Sequence, residues 1–129
     1  MLYKRQKYST SQLVVNGSTY TAILADTSVK RSIGLMFRNS LGEKECMLFK
    51  FPRMGRHEIW MLNMNFPIDI LWLGGDKRVV FKVENAEPCK SFFRCRVYSP
   101  EEEAHYVVEF PSGTIKKEKI REGDEVSFG

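Results

Sequence analysis

The chain has 129 residues, 43% of them hydrophobic and 28% charged, with nine Phe, five Tyr and two Trp. That payload supports a packed core and excludes a disordered or collagenous chain, and the length leaves no room for a second core, so residues 1–129 read as a single domain. Twenty basic against sixteen acidic side chains give +4, a balance that permits a polyanionic partner without requiring one.

Residues 1–7 are basic and residues 8–12 polar. They lack the apolar centre of a secretory signal, and residues 1–10 are expected to be a flexible, loosely attached arm. Leu13-Val14-Val15, Asn16-Gly17 and the run 18–24 read as a β-hairpin, because Asn-Gly supplies the two positive-φ residues of a type I′ turn. A short helix follows. Thr27 or Ser28 caps it, Val29, Ile33 and Met36 recur at helical spacing, and Gly34 marks its end.

Strand patterns then recur over residues 46–51, 57–63, 68–73, 79–83, 92–98 and 106–110, with a last short one after Gly123-Asp124. Residues 114–120 suggest a short helix capped by Thr114. The expected fold is mostly β, an antiparallel β-sandwich or partly open barrel with one short helix after the first hairpin. Residues 59–63 and 69–73 are expected to pair across Phe66-Pro67, with Asn63 opposite Asp69. Alternation then places Trp60, Leu62, Ile70 and Trp72 on one face, and Ile59, Met61, Asn63, Asp69, Leu71 and Leu73 on the other. Both faces are apolar, so this hairpin should be covered on both sides.

These elements carry a resemblance. Gly34-Leu35-Met36-Phe37-Arg38, Met47-Leu48-Phe49, Trp60-Met61-x-Asn63, Pro67-Ile68-Asp69-Ile70-Leu71, Val83-Glu84-Asn85-Ala86, Pro88-Cys89 and Gly123-Asp124-x-Val126 occur in that order. From the first hairpin to the last strand the chain resembles the uncharacterised DUF192 family of bacteria and archaea. The resemblance implies a compact, mostly-β domain with a helix after the first hairpin and brings no established activity. Leu62 and Met64 stand where the family typically has Lys and Thr, and the export segment of many relatives does not show here.

Five residues are singled out as candidate ligand-binding positions: Trp60, Asn63, Asp69, Glu84 and Cys89. A carboxylate between Ile68 and Ile70 is costly to bury unless hydrogen-bonded. Asp69 either orients a polar ligand beside Trp60 and Asn63 or holds the 65–67 turn by accepting its N–H groups. Glu84 ends a strand, as a ligand acceptor, a general base or an ordinary turn residue. Cys89 is a nucleophile, with His57 or His105 as base, only if its thiol is activated; a quiet semi-buried thiol is the simpler reading. Cys46, Cys89 and Cys95 form no C-x-x-C pair, and with two His the chain shows no zinc spacing. Free thiols in a reducing cytoplasm are expected, with no metal, no cofactor and no membrane span.

The preferred function is a small non-catalytic binding domain taking a polar small molecule or a protein segment in a pocket near Trp60, Asn63 and Asp69. The alternatives are a small hydrolase using Asp69 with Glu84, or Cys89, and a basic nucleic-acid-binding module built on residues 90–98. Charge segregation disfavours the last. Residues 1–98 carry sixteen basic and eight acidic side chains, and residues 99–129 carry four and eight, so the acidic segment can neutralise the basic body internally.

Overall fold

In the computed structural model, which describes residues 2–129, the strongest local signal forms as the sequence predicts. Asn16 (φ 47°) and Gly17 (φ 84°) turn β1 (Thr10–Val15) antiparallel onto β2 (Ser18–Ala25), with Val15 opposite Ser18. Two consecutive left-handed residues match the twist of the flanking strands. Thr27 caps α2 (Ser28–Ile33) by accepting the Lys30 N–H at 3.2 Å, and Gly34 (φ 52°) ends it. Glycine is required there twice over, since a Cβ would also meet the Phe49 ring at 3.3 Å. Ile33 is buried but Val29 is exposed, because a helix this short turns only a narrow stripe inward. In the N-terminal arm, α1 (Leu2–Arg5) is followed by Tyr8. The Arg38 guanidinium stands over the Tyr3 and Tyr8 rings, at 4.9 and 5.1 Å. Met1 lies outside the described residues.

The chain continues through β3 (Glu45–Gly55), β4 (Ile59–Trp60), β5 (Ile68–Leu73), β6 (Val79–Ala86), β7 (Val97–Tyr98), β8 (Ala104–Pro111), α3 (Thr114–Lys117) and β9 (Val126–Phe128). Seven of the strands form one sheet in the order β6-β5-β8-β3-β2-β1-β9, curled into a half-barrel, while β4 and β7 form a separate ribbon. The sheet is antiparallel except where β2 and β3 run parallel, with α2 in their crossover.

Both faces of the sheet are covered. Leu71, Leu73, Val108 and Phe110 pack with Leu13 and Val15 on one side; Ile70, Trp72 and Val107 pack with Met47 and Phe49 on the other. Every residue of β5 is buried, which agrees with the two-sided apolar pattern of residues 68–73.

Four expectations need correction. The Asn63–Asp69 pairing does not form. Asn63 is left-handed (φ 61°), β4 pairs with β7 through Ile59–Tyr98, and both edges of β5 are taken by β6 and β8. The backbone of residues 61–63 is satisfied by Cys89 instead: Asn63 N–H donates to its carbonyl at 3.1 Å, and its N–H donates to Met61 at 3.0 Å. Residues 92–98 are not one strand, because a Cys89–Cys95 disulfide, with Cα atoms 5.5 Å apart, folds Phe92–Arg94 into a 3-10 turn and leaves only Val97–Tyr98 extended. The expectation of three free thiols fails for the same reason; Cys46 is the free cysteine, and burial pushes its thiol up to about 12. Finally, Thr114 does not cap α3. Its hydroxyl donates back to the Pro111 carbonyl at 2.7 Å, and left-handed Gly113 (φ 93°) holds the capping position.

Candidate functional site

Asp69 is fully buried, and both of its carboxylate oxygens are used. Oδ1 accepts the Asn85 N–H at 2.8 Å; Oδ2 accepts the Gly113 N–H at 3.1 Å and the Ile115 N–H at 2.8 Å. The carboxylate therefore does for α3 what an N-cap side chain does, but from a strand 46 residues away. It also fixes the bulge in β6, where Ile68 pairs with Ala86 but Ile70 pairs with Val83. This is the structural role open to it from the sequence, exercised on a different turn: its partners lie at 85, 113 and 115, not at 65–67.

The five candidate residues do not converge on one site, although Asn63 and Cys89 touch through their backbones. Alternation along β5 puts Asp69 on the Leu71 face of the sheet, opposite the Trp72 face. Glu84 is exposed and stands 3.8 Å from Lys82. Cys89, as half of a disulfide, has no thiol with which to attack, so no Cys–His pair forms with His57 or His105. Asn63 lies in the segment covering the Trp72 face, and its carbonyl accepts the Phe37 N–H at 2.9 Å. Trp60 lies in the same cover, 40% exposed, with Phe92 edge-on to it at 5.5 Å.

Beneath Trp60 is a residue the sequence reading passed over. Glu109, in the middle of β8, is only 4% exposed and pairs with Met47 of β3 and Ile70 of β5. It lines a cleft of about 180 Å³ between the sheet and a roof made by the Gly34–Met36 turn and the Glu58–Trp60 segment. Trp72 Nε1 donates to the His57 carbonyl at 2.7 Å and so anchors that second segment to the sheet. Among the described residues nothing hydrogen-bonds or ion-pairs the Glu109 carboxyl, and burial alone pushes it up to about 8. Arg31, the cation lining the cleft, directs Nη1 to the Lys50 carbonyl at 2.9 Å and lies over the Phe51 ring at 5.4 Å. The signal was present in Val107-Val108-Glu109-Phe110, where alternation sends a carboxyl to the same side as Val107.

A broader groove of about 910 Å³ on the other side involves Glu84, Lys82, Glu118 and Asp124, but each of its carboxylates is partnered, Glu84 by Lys82 at 3.8 Å. Glu118 accepts from Tyr20 Oη at 2.6 Å and Ser18 Oγ at 2.7 Å, and the Tyr20 bond chiefly holds its carboxyl below the usual range. Asp124 accepts the Arg121 N–H at 2.8 Å, which is the main reason its carboxyl is lowered. Nothing there is left as Glu109 is left. Among the described residues no cluster of three or more His, Cys, Asp and Glu could hold a metal ion, and no helix is long and apolar enough to cross a membrane.

Comparison with known proteins agrees with the resemblance read from the motifs. The family model DUF192, described as "Uncharacterized ACR, COG1430", matches residues 11–128. The chain belongs to this family. A UPF0127 protein of Thermococcus gammatolerans is 36% identical over 107 residues, covering 81% of this chain and 64% of that protein. A UPF0127 protein of Pyrococcus abyssi is 33% identical over 110 residues, covering 81% and 83%. The matched region thus spans less than two thirds of the Thermococcus gammatolerans relative. Among solved structures, a Sinorhizobium meliloti protein described as a candidate transcription regulator superposes with a TM-score of 0.86 at 28% identity, over 95% of this chain and 96% of that one. A Novosphingobium aromaticivorans protein of unknown function gives 0.77 at 29% identity, over 93% and 84%. DUF192 therefore supplies a fold and a lineage, and the chemistry has to be argued from the cleft.

Proposed function

We propose that this DUF192 domain is a non-catalytic binding module whose site is the cleft between Trp60 and Glu109. The observation that carries the proposal is a buried carboxyl, unpartnered among the described residues, at the floor of an opening walled by apolar side chains. Burying such a group at the cleft floor without a protein partner costs free energy that a bound partner would recover, and a few convergent polar groups in an apolar cleft are the usual makeup of a ligand site. Of the residues expected from the sequence, Trp60 forms the wall, Asn63 braces the roof and Asp69 shapes the opposite face. A binding role is preferred over a hydrolytic one because no hydrogen-bonding partner orients Glu109, as the base of a catalytic pair requires. Compartment belongs to the same proposal: the Cys89–Cys95 disulfide favours an oxidising setting over the reducing cytoplasm first expected.

A fragment screen read by NMR at the Trp60 indole tests this reading. Hits should perturb Trp60 and lose at least tenfold in affinity in Glu109→Gln and in Trp60→Ala. Hits confined to the groove beside Lys82 and Glu118, or indifferent to both substitutions, would sink it.

A further inference from the structure

We propose that the ligand group received by Glu109 is a primary ammonium carried on a short apolar stem. This rests on the binding reading above and names the chemistry of that same site. A buried carboxyl is completed either by accepting from a donor or by keeping its own proton. Among the described residues no donor is hydrogen-bonded to it: β3 and β5 set Met47 and Ile70 beside Glu109, the cleft's cation, Arg31, is held by the Lys50 carbonyl and the Phe51 ring, and Ser32 on the cleft wall makes no bond to it. The other ionisable group lining the opening, Glu58, is also acidic. The site therefore holds two carboxyls against one cation already engaged elsewhere, so once the Glu109 proton leaves, the opening is net negative and suits a positively charged guest.

Shape and wall agree. About 180 Å³ is smaller than the roughly 300 Å³ at which drug-sized sites begin, so the guest is a single small group, not an extended ligand. Phe49, Leu35, Met64 and Ile59 line the opening with hydrocarbon and thioether surface for an alkyl or aryl stem. Trp60 lines the same rim, and an indole is the aromatic ring that attracts a cation best. An anion would face Glu109 and Glu58 with no free cation to hold it, and a neutral alcohol would leave the carboxyl protonated.

Binding has a proton signature. At neutral pH Glu109 is largely protonated, since burial raises it to about 8. An incoming ammonium keeps its own protons, and the Glu109 proton passes to solvent as the ion pair forms. Affinity for the amine should rise towards tenfold per pH unit between pH 6 and 7, flatten near 8, and be accompanied by release of close to one proton at pH 6.

The test is calorimetric titration of the intact chain at pH 6, 7 and 8, in buffers of different ionisation enthalpy. 2-Phenylethylamine stands for a free amine and Nα-acetyl-lysine N-methylamide for a lysine side chain; 2-phenylethanol and 3-phenylpropionate are the neutral and anionic controls. Either amine should bind with rising affinity and proton release, and Glu109→Gln, checked for an unchanged circular dichroism spectrum, should lose both with at least a tenfold drop. Which amine is tighter identifies the source of the ammonium. If the alcohol or the acid binds at Trp60 as tightly as the amines, or amine binding survives in Glu109→Gln, the ammonium assignment is overturned while a ligand site at Trp60 stands. If no probe disturbs Trp60, both it and the binding reading fall.

Discussion

The Phe37 N–H donates to the Asn63 carbonyl at 2.9 Å, and both residues are left-handed, at φ 68° and 61°. This bond ties the turn after α2, part of the roof over the Glu109 cleft, to the segment between β4 and β5, which adds Met64 to the lining of that cleft. Asparagine tolerates the left-handed region better than most side chains, whereas a β-branched residue does not. Asn63→Gly should leave urea stability within about 0.5 kcal/mol, and Asn63→Val should lower it by about 1–2 kcal/mol. Equal losses in the two variants would mean that the Asn63 side chain, not its backbone conformation, matters.

Asp69→Asn separates the two faces of the sheet. An amide keeps one acceptor oxygen, but Asp69 uses both, so at least one of the Asn85, Gly113 and Ile115 N–H groups would face an NH2. Loss of charge-assisted bonds to buried donors points to about 3 kcal/mol of destabilisation. Fragment binding beneath Trp60 should be unchanged below the melting transition. Full stability with lost binding would reverse the assignment and make Asp69 part of the site.

Glu109 gives the unliganded protein an unusual pH profile. Its ordinary value is 4.5 and its folded value about 8. Between those limits the folded state holds a proton that the unfolded chain has released. Stability should therefore fall as pH rises from about 4.5 to 8 and level off above, by roughly 4–5 kcal/mol in total. Glu118 and Asp124, whose values are lowered, act with the opposite sign: the stability they contribute is present above the ordinary carboxylate range and is lost as pH falls below it. Urea midpoints at pH 5, 7 and 9 should decline in the wild type and stay level in Glu109→Gln, which becomes the more stable protein at pH 9. A level wild-type profile would contradict the burial of the Glu109 carboxyl.

The disulfide is open to thiol counting. With Cys46 buried and Cys89 bonded to Cys95, the folded chain should show no rapidly reacting thiol. Denaturation without reductant should expose one, and denaturation after reduction three. Closing so short a loop contributes about 2 kcal/mol by its effect on the unfolded chain, so Cys95→Ser should lower stability by about that amount. Three thiols on denaturation without reductant would show that the bond is absent.

What could be read from the sequence was local or periodic. The Asn16-Gly17 turn, the Thr27 cap and the two-sided burial of residues 68–73 each depend on neighbours a few positions away. The Asn63–Asp69 pairing failed because hydrogen-bond competition is settled across the chain: β5 already had β6 and β8 on its edges, and Cys89 took the backbone of residues 61–63. Asp69 was recognised as a carboxylate needing partners, but those partners lie 16, 44 and 46 residues away, beyond any local pattern. Glu109 escaped because one acidic residue in an apolar strand reads equally as an exposed position until the roof over it is known.

That roof is joined to the sheet more sparsely than the strands are joined to one another. The Trp72–His57 bond crosses from sheet to cover, and the Phe37–Asn63 bond and the Cys89 contacts run within the cover itself. A layer held this way can lift as a unit at a cost below that of breaking the ladder beneath it. Amide protons of residues 61–64 should then exchange ahead of those of β5 and β8. Each such opening would widen the access of water, and with it a proton acceptor, to the buried Glu109 carboxyl.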